Sequence, residues 1–373
     1  MRVVLANLTG GRLSDGYQKY LRYMIPLMGR DERIKQLNVL VPGAYIDMFR
    51  SSNFHAGPFT EIGVIAGSSH LKTELARLHP DVIFIPTARF IRSNGIPTII
   101  MVQNMEALTR PIGKNTARDS LKNIGRLLLA RKACRQAERI IAISGFVREF
   151  LLHRWKIDAE KVGVVYHGVE APHDPAYDRR PPALEGLQES SFIFTAGAIR
   201  AYRGLEDAIQ ALGRRAVVRR NLSLVIAGKP DTGSEAYYRY LVKRARETEV
   251  GERVLWTGHL ERDELAWCYR NCSLFIMTSR VEACPNTALE AMAYSCLIIS
   301  TRNPPMPEFF QDAAFYYNEG DAAGLAQQVE HALALPTSTK NARKEACRHI
   351  AERLRWQETA RLTVDQFFSA LHQ

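Results

Sequence analysis

Short β-branched runs alternate with helical segments along most of the chain. Ten runs are predicted to form buried strands: Arg2–Ala6, Gln36–Val41, Asp81–Ile85, Thr98–Val102, Arg139–Ile143, Phe192–Ala196, Leu222–Ala227, Val254–Thr257, Leu274–Met277 and Leu297–Ser300. Helical patterns lie between them, for example Asp15–Met28, Glu206–Arg214, Ser234–Thr248 and Ala323–Leu333. Strands that alternate with helices form βαβ units. Two sets of about five strands therefore predict an α/β protein with two doubly wound, Rossmann-like domains built on parallel sheets.

A polar, proline-rich stretch separates the two sets of strands. Residues 171–191 read APHDPAYDRRPPALEGLQESS, with four prolines. Such a segment suits neither a core helix nor a central strand. We place the boundary near Pro172, which gives an N-terminal domain over residues 1–171 and a second domain over residues 172–355.

The composition is that of an ordinary globular protein. The chain has 373 residues, of which 46% are hydrophobic and 24% charged, and it contains no apolar window long enough for a transmembrane helix. The opening MRVVLANLTGG is too short for a signal-peptide core, which favours a cytoplasmic protein. Six cysteines occur without a CxxC pair, so we expect reduced, buried thiols rather than a zinc site. They are Cys134, Cys268, Cys272, Cys284, Cys296 and Cys347.

Positive charge is concentrated in one segment. The net charge is +11, which points to an anionic partner. Residues 110–139 hold nine Lys or Arg against Asp119 and Glu138. Within them, Leu121, Ile124 and Leu128 share one face of a predicted helix. This pattern suits a helix lying on an anionic membrane surface, and it equally suits a helix whose apolar face packs on its own sheet.

Several common catalytic signatures are missing from the sequence. There is no phosphate-binding GxxxxGK[ST] loop, no GxSxG and no GxGxxG after a strand. No two aspartates lie two residues apart, so the chain lacks the DxD expected of a sugar transferase that holds its nucleotide through a metal. Helix-turn-helix, zinc-finger and RNP signatures are absent as well, which weakens a nucleic-acid-binding function.

Residues 278–296, TSRVEACPNTALEAMAYSC, carry the most informative pattern. A strand ends in a loop that holds Glu282, and a helix predicted to begin near Asn286 holds Glu290. Backbone N–H groups of Cys284, Asn286 and Thr287 are expected to be free at this helix start, which is a favourable place for anions and sugars. The two carboxylates could accept hydrogen bonds from the hydroxyl pairs of a hexose or a ribose. Alternatively, both glutamates are ordinary solvated side chains.

A second stretch, TAGAIRAYRGL over residues 195–205, follows the strand Phe192–Ala196. Gly197 permits a tight exit from the strand. Arg200 and Arg203 come just before a predicted helix start, where two guanidinium groups can clamp a diphosphate. The alternative is a solvated basic loop.

Taken together, these motifs resemble the retaining GT-B glycosyltransferases of the large glycosyl transferases group 1 family, also called family 4. The resemblance is carried by Arg203-Gly204 before a helix, by Glu282 and Glu290 spaced as E-x7-E, and by LVIAG ending at Gly228. WTGHL and the segment IIAISGFVREFL followed by VGVVYHGVE also match. The likeness covers residues 139–335 and is thinner before them.

The resemblance implies a fold and a set of roles. Two domains would face each other across a cleft and close over a nucleoside diphosphate sugar without a metal or other cofactor. Glu290 would bind the ribose. Glu282 and the N–H groups of Asn286 and Thr287 would hold the transferred sugar and the nearby phosphate. Arg203 stands where the family usually has Lys, against the diphosphate.

The chain also departs from the family pattern. Ala198 occupies the place where an Arg usually follows the exit glycine, and Arg200 is the candidate substitute. Gln103 and Asn104 stand where many members have a His facing the donor sugar; amides can bind hydroxyl groups but cannot act as acids or bases. Instead of consecutive glycines before the first helix, the N-terminal loop has Gly10-Gly11 followed by Ser14-Asp15-Gly16. Ser14 or Asp15 is the expected N-cap, and Gly16 is a candidate for close approach of a phosphate.

Two aromatic residues complete the set of candidates. His167 lies in a YHGVE turn where relatives have Asn, which favours a structural role. Trp356 begins a segment, residues 356–373, that resembles a terminal helix returning to the first domain; a helix packed on its own domain is the alternative.

The resemblance therefore implies a hexosyltransferase that passes sugar to a glycan or a lipid-linked acceptor. We expect it in the cytoplasm, and the basic segment leaves open whether it docks peripherally on the inner face of the membrane. Two alternatives stay open: a GT-B sugar-nucleotide epimerase or phosphorylase, and a basic, non-catalytic module that binds nucleic acid or an anionic surface.

Overall fold

The computed structural model describes residues 1–9, 13–50, 57, 59–66, 68–93, 95–109, 117–218, 220–231 and 233–372. The predicted loop residues Gly10 and Gly11 lie outside this part of the chain. The chain divides into a first unit, Met1–Gly168 with Leu354–Gln373, and a second unit, Val169–Arg353. The change of unit at Val169 falls just ahead of Pro172.

The first unit is built on a seven-stranded parallel sheet with the order β3-β2-β1-β4-β5-β6-β7. Its strands are β1 (Arg2–Ala6), β2 (Gln36–Pro42), β3 (Thr60–Ile65), β4 (Val82–Ile85), β5 (Thr98–Val102), β6 (Arg139–Ala142) and β7 (Val162–Val164). Its helices are α1 (Asp15–Met28), α2 (Ile46–Arg50), α3 (Ser68–Leu78), α4 (Glu106–Thr109), α5 (Ala117–Gln136), α6 (Gly145–Glu149) and the C-terminal α15 (Trp356–Leu371). Helices that cover both faces explain why β4 and β5 are buried along their whole length.

The second unit repeats this plan with six parallel strands in the order β10-β9-β8-β11-β12-β13. The strands are β8 (Phe192–Ala196), β9 (Ser223–Ala227), β10 (Val254–Gly258), β11 (Leu274–Met277), β12 (Ile298–Thr301) and β13 (Phe315–Tyr317). The helices are α7 (Leu205–Leu212), α8 (Arg215–Val218), α9 (Glu235–Arg246), α10 (Arg262–Asn271), α11 (Asn286–Ala293), α12 (Met306–Phe310), α13 (Ala322–Ala334) and α14 (Thr337–Arg353).

The structure confirms the predicted fold class and all ten predicted strands, but the estimate of about five strands per domain was too low. The three additional strands are β3, β7 and β13. β7 and β13 have three residues each, too short for a recognisable pattern. β3 is mostly half-buried rather than buried, so it lacks the apolar run on which the prediction depended.

Aromatic side chains fix the C-terminal helix in the first unit. Trp356, at the start of α15, stacks on Tyr23 of α1 with ring centroids 4.9 Å apart. His167 is buried and lies against Tyr20 at 5.0 Å and Trp356 at 5.7 Å. Gly168 is required beside them, because a Cβ there would come within 2.3 Å of the Trp356 backbone nitrogen. These contacts give His167 and Trp356 structural roles in packing.

In both sheets, the direction in which successive strands are added reverses after the third strand. The chain starts at β1, or at β8, builds outward on one side and then crosses to the other side at β4, or at β11. In such sheets the crevice beyond the carboxyl ends of the two central strands is the usual place for a ligand. In the second unit, the loops at this position are those after β8 and β11.

Candidate active site

The loops after β8 and β11 bring together residues that are far apart in sequence. β8 pairs directly with β11, with Phe194 opposite Phe275. Arg203 in the first loop therefore reaches Glu282 in the second, and its Nη1 lies 3.0 Å from the Glu282 Oε1. Both side chains are largely buried, with 13% and 14% of their surface exposed. The sequence analysis selected both residues without predicting that they pair.

Arg203 is held by several acceptors in addition to Glu282. Nη1 also donates to the Ser279 hydroxyl at 3.2 Å, and Nη2 donates to the Ala196 carbonyl at 3.2 Å. Burial is the largest single influence and opposes the charge of the guanidinium, but Glu282, Tyr202 and Tyr269 together more than offset it and raise the pKa of Arg203. The result is a permanent cation fixed at the edge of a small cleft that Gly197 and Ala198 also line.

Two glycines make this arrangement of Arg203 sterically feasible. Gly197 has φ +128°, and a Cβ there would lie 1.7 Å from the Arg203 Nη2. Gly204 has φ +60°, and a Cβ there would lie 2.6 Å from the Thr278 carbonyl oxygen. The positive φ would strain any side chain at either position. At Gly197 the side chain would also displace the Arg203 guanidinium, and at Gly204 it would press on the backbone after β11. The Arg203 guanidinium thus occupies the space that a side chain at residue 197 would fill.

A buried ion-pair network attaches the loop after β11 to helix α7. The Arg280 Nη2 donates to the Asp207 Oδ1 at 2.9 Å and to the Glu206 Oε1 at 3.3 Å. Asp207 in turn accepts from the Tyr317 hydroxyl at 3.2 Å and from the Gly320 N–H at 2.9 Å. This network fixes the loop at Arg280, two residues before Glu282.

Glu290 lies one turn into α11, as predicted, and has a partner that the sequence analysis missed. The buried Tyr269 hydroxyl donates to the Glu290 Oε2 at 3.0 Å and also lies 3.3 Å from the Thr287 carbonyl. Burial, and then the nearby Glu290 charge, raise the pKa of Tyr269. A neutral phenol therefore orients this carboxylate. Beside it, the Thr287 hydroxyl is buried with no hydrogen-bond partner among the described residues.

The start of α11 differs from the prediction in one respect. Its expected free N–H groups included that of Asn286, but this N–H donates to the Cys284 carbonyl at 3.0 Å. Pro285 causes this local turn because it cannot donate and its φ of −82° bends the chain just before the helix. The Cys284 thiol lies 3.3 Å from the Asn286 Oδ1. The Asn286 N–H is therefore already used in this conformation.

Among the contacts of the described residues, Arg200 and Arg203 donate to different acceptors. The Arg200 Nε donates to the Asp231 Oδ2 at 2.5 Å, and Asp231 lies in the loop between β9 and α9. Arg203 makes its contacts on the β11 side instead. A joint clamp by the two guanidinium groups would require Arg200 to leave Asp231.

The candidates in the first unit make local contacts. The Ser14 hydroxyl caps α1 by accepting from the Tyr17 N–H at 3.4 Å, which confirms the predicted cap, and Gly16 lies exposed in the first helical turn. The Gln103 Nε2 donates to the Pro86 carbonyl at 2.8 Å. The Asn104 Oδ1 accepts from the Glu106 N–H at 2.8 Å.

Arg280 and Tyr269 are the site residues that sequence reasoning missed. Arg280 adjoins a strand end and Tyr269 lies on α10, and neither position has a sequence pattern of its own. The sequence held one signal for Arg280: the first turn of α7 contains two consecutive acidic residues, Glu206 and Asp207, which are buried in the structure. Buried carboxylates require partners, and such a pair at a helix start predicts an arginine nearby. Separately, all six cysteines are buried free thiols, as expected.

Two Rossmann-type units in one chain, with charged loops at the crevice of the second unit, define a GT-B type architecture. The solved structure of Anabaena HepE in complex with UDP has the same fold, with a TM-score of 0.72 at 14% sequence identity over 99% of this chain and 100% of that chain. At this identity the match concerns the fold alone.

Family models identify the chain more specifically. Residues 181–349 match the model for glycosyl transferases group 1, and residues 44–171 match the model for glycosyltransferase family 4. This chain therefore belongs to the group 1 GT-B glycosyltransferases.

Curated relatives match at low identity. The chain is 24% identical to glycogen synthase of Mycobacterium tuberculosis over 63% of this chain and 55% of that protein. It is 25% identical to alpha-monoglucosyldiacylglycerol synthase of Streptococcus pneumoniae over 60% of this chain and 51% of that protein. The alignments thus span about half the length of these relatives.

Proposed function

We propose that this protein is a retaining glycosyltransferase that moves a hexose from a nucleoside diphosphate sugar to a glycan or a lipid-linked acceptor. The observation that carries the proposal is the buried Arg203–Glu282 pair, which lies at the sheet crevice next to the start of α11. This arrangement offers a cation for a diphosphate directly beside a carboxylate for sugar hydroxyls. The fold matched by Anabaena HepE with UDP supports a nucleotide ligand of this kind.

In this proposal Glu290 binds the ribose diol of the donor. One of its carboxylate oxygens accepts from Tyr269, which limits rotation of the side chain. A carboxylate held in this way accepts hydrogen bonds from two adjacent hydroxyls, each a charge-assisted bond worth about 1.5–3 kcal/mol.

Arg203 stabilises the diphosphate as it leaves. Negative charge grows on the leaving phosphate during bond cleavage, and a fixed cation in a largely buried position stabilises that charge without reorganisation. Glu282 orients the guanidinium in the absence of donor and would then accept from the transferred hexose. Arg200 assists once the donor displaces its contact with Asp231. We propose that this machinery operates without a divalent metal or other cofactor.

We assign the acceptor site to the first unit, with Gln103 and Asn104 as amide groups for hydroxyl recognition. Gly16, near the start of α1, is the place where this unit would let a phosphate of the donor approach closely. A relative named for a glucosyldiacylglycerol product supports a lipid-linked acceptor, and a relative named for glycogen supports a glycan. A lipid-linked acceptor would place the protein in the cytoplasm, on the inner face of the membrane. Among the described residues, no helix combines the length and apolar content needed to cross a bilayer.

Donor binding is the first test. GDP-, UDP- and ADP-sugars are compared by thermal shift, where a ligand present at 100 times its Kd should add about 2.7 kcal/mol to stability. Glu290→Gln should weaken the best donor by about tenfold or more. Glu252→Gln, the same change at an exposed position of the same unit, is the matched control. Failure of every sugar nucleotide to bind would contradict the proposal and favour the non-catalytic anionic-surface module.

Turnover and stereochemistry are the second test. Transfer with the best donor is followed with and without EDTA, and the anomeric configuration of the product is determined by NMR. Arg203→Ala should lower kcat by roughly 10²–10³-fold, and EDTA should leave kcat unchanged. Inversion of configuration, or activity lost to EDTA and restored by Mn²⁺, would overturn the corresponding part of the mechanism. An isomerised sugar nucleotide with no transfer would identify the epimerase alternative.

A further inference from the structure

Helix α5 in the first unit exposes a row of large aliphatic side chains. Ile124, Leu128 and Leu129 have 37%, 60% and 69% of their surface accessible. The alternative that this face packs on the domain's own sheet is therefore wrong for Ile124 and Leu128. The side chains of residues 117–122, Leu121 among them, are not among the described ones, so the exposed face is defined over residues 123–136.

The buried face of α5 has the opposite character. Asn123, Ala130, Ala133 and Cys134 face the protein and are nearly inaccessible. Small residues thus pack inward and Leu127 is half-buried, whereas Leu128 and Leu129 point outward. A helix needs no large exposed leucines for its own packing, and contiguous exposed apolar surface usually marks a contact site.

Positive charge accompanies this apolar row. Residues 124, 128, 131 and 135 follow the i, i+3 and i+4 spacing of one helix face, so Arg131 and Arg135 continue the line begun by Ile124 and Leu128. Lys132 and Arg135 are exposed. Residues 123–137 contain four basic residues and no acidic one. The apolar row therefore has a cationic border.

We propose that the outward face of α5, defined by Ile124, Leu128, Leu129, Arg131, Lys132 and Arg135, docks the protein on an anionic lipid bilayer. Leucine and isoleucine enter the boundary between headgroups and acyl chains, while long basic side chains reach the lipid phosphates. The phosphates of a nucleic acid could pair with the basic side chains, but a nucleic acid has no apolar interior in which Leu128 and Leu129 could be buried. The combination of aliphatic and basic groups on one helix face favours a bilayer.

The experiment is co-sedimentation of the full chain with vesicles of phosphatidylcholine containing 30 mole per cent phosphatidylglycerol, compared with pure phosphatidylcholine. We expect binding to the anionic vesicles that falls as salt rises. Leu128→Ser with Leu129→Ser should reduce the partition coefficient at least tenfold at every salt concentration. Lys132→Glu with Arg135→Glu should reduce it by at least the same factor at low salt.

Matched controls separate this surface from general charge. Arg239→Glu with Arg246→Glu makes the same charge change on the exposed side of α9, and Tyr177→Ser removes an exposed aromatic group elsewhere. Both should bind vesicles like the parent protein. Equal losses in the α9 variant, or no binding of the parent to anionic vesicles at low salt, would overturn the proposal.

Circular dichroism and thermal unfolding verify that each variant is folded. Vesicle binding needs no turnover, so this proposal can fail while donor binding succeeds, and the reverse. Binding to single-stranded DNA that is as strong as binding to vesicles, and unaffected by the leucine substitutions, would assign the surface to nucleic acid instead.

Discussion

The two units share a strand order around the crevice but hold their polar side chains there in different ways. In the second unit, cations pair with carboxylates across loops, as in Arg203 with Glu282 and Arg280 with Asp207. In the first unit, the candidate side chains bond to backbone groups, as in Gln103 with the Pro86 carbonyl and Asn104 with the Glu106 N–H. At the sheet edge of the second unit, charged side chains form ion pairs with one another. At the sheet edge of the first unit, each polar side chain makes a separate hydrogen bond to the backbone.

This difference has energetic consequences. Charge-assisted hydrogen bonds are stronger than neutral ones, and breaking one partner of a buried pair leaves an uncompensated charge. A substitution at the sheet edge of the second unit should therefore disturb the neighbouring ion pairs as well, because Arg203, Glu282 and Arg280 all depend on the loop after β11. Substitutions at the first unit's edge should remain local.

Loss of Arg280 should have the largest effect on stability. Arg280→Met leaves Glu206 and Asp207 buried without their cation, which we expect to lower the free energy of unfolding by about 3–5 kcal/mol. Denaturant titration of the whole chain measures this loss. Arg280→Lys, which keeps the charge, should recover part of it.

Arg361→Met is the control for Arg280, because Arg361 makes two ion pairs on the exposed side of α15 in the first unit. Exposed pairs contribute little, so this variant should stay close to the parent. If Arg280→Met and Arg361→Met lower the free energy of unfolding equally, the buried ion pairs stabilise the protein no more than exposed ones do.

Gly197→Ala should have the next largest effect. The added Cβ lies at φ +128° and within 1.7 Å of the Arg203 Nη2, so the guanidinium must move away from Glu282. We expect a stability loss of about 1–3 kcal/mol together with a marked loss of kcat. Gly186→Ala also has a positive φ, +81°, but its Cβ meets nothing within 4 Å. If both variants retain full turnover, the glycine exit does not position Arg203.

The strand pattern of the fold was predictable because parallel strands covered on both faces appear as continuous apolar runs. β8 and β11 were located within a residue in this way. Pairing between their loops was not predictable. Arg203 and Glu282 are 79 residues apart, and their contact follows from the strand order, which a single sequence does not specify.

Residues that act through others were the hardest to find. Arg280 and Tyr269 bind protein groups rather than standing at a motif position, so neither the E-x7-E spacing nor the glycine exit points to them. The free Asn286 N–H was expected from general helix geometry, and the local turn at Pro285 removed it. A helix start can be predicted from sequence more reliably than the hydrogen bonds of its first residues.

Tyr269→Phe tests the indirect part of the site with a smaller change. It removes one neutral-to-charged hydrogen bond at Glu290 while keeping the buried ring. We expect donor affinity to fall by about threefold to tenfold, consistent with 0.5–1.5 kcal/mol. Tyr294→Phe is the matched control, since Tyr294 stacks on Tyr269 at 5.3 Å but its hydroxyl faces His173. A drop in affinity shared by both variants would indicate disturbed stacking instead of a lost bond to Glu290.

Gln103→Ala should have the smallest effect on the donor. Its amide bonds to the Pro86 carbonyl within the first unit, so its loss removes one neutral hydrogen bond, worth about 1 kcal/mol, and leaves the Arg203–Glu282 pair untouched. Donor affinity should stay within twofold of the parent, whereas the KM for the acceptor should rise if the amide contacts acceptor hydroxyls. Asn104→Ala, which also removes a local helix-start contact, should raise the acceptor KM in the same way and leave donor affinity within twofold of the parent. The contrast between the two edges fails if Gln103→Ala weakens donor binding as much as Tyr269→Phe does, because a local contact would then act on the charged site of the other unit.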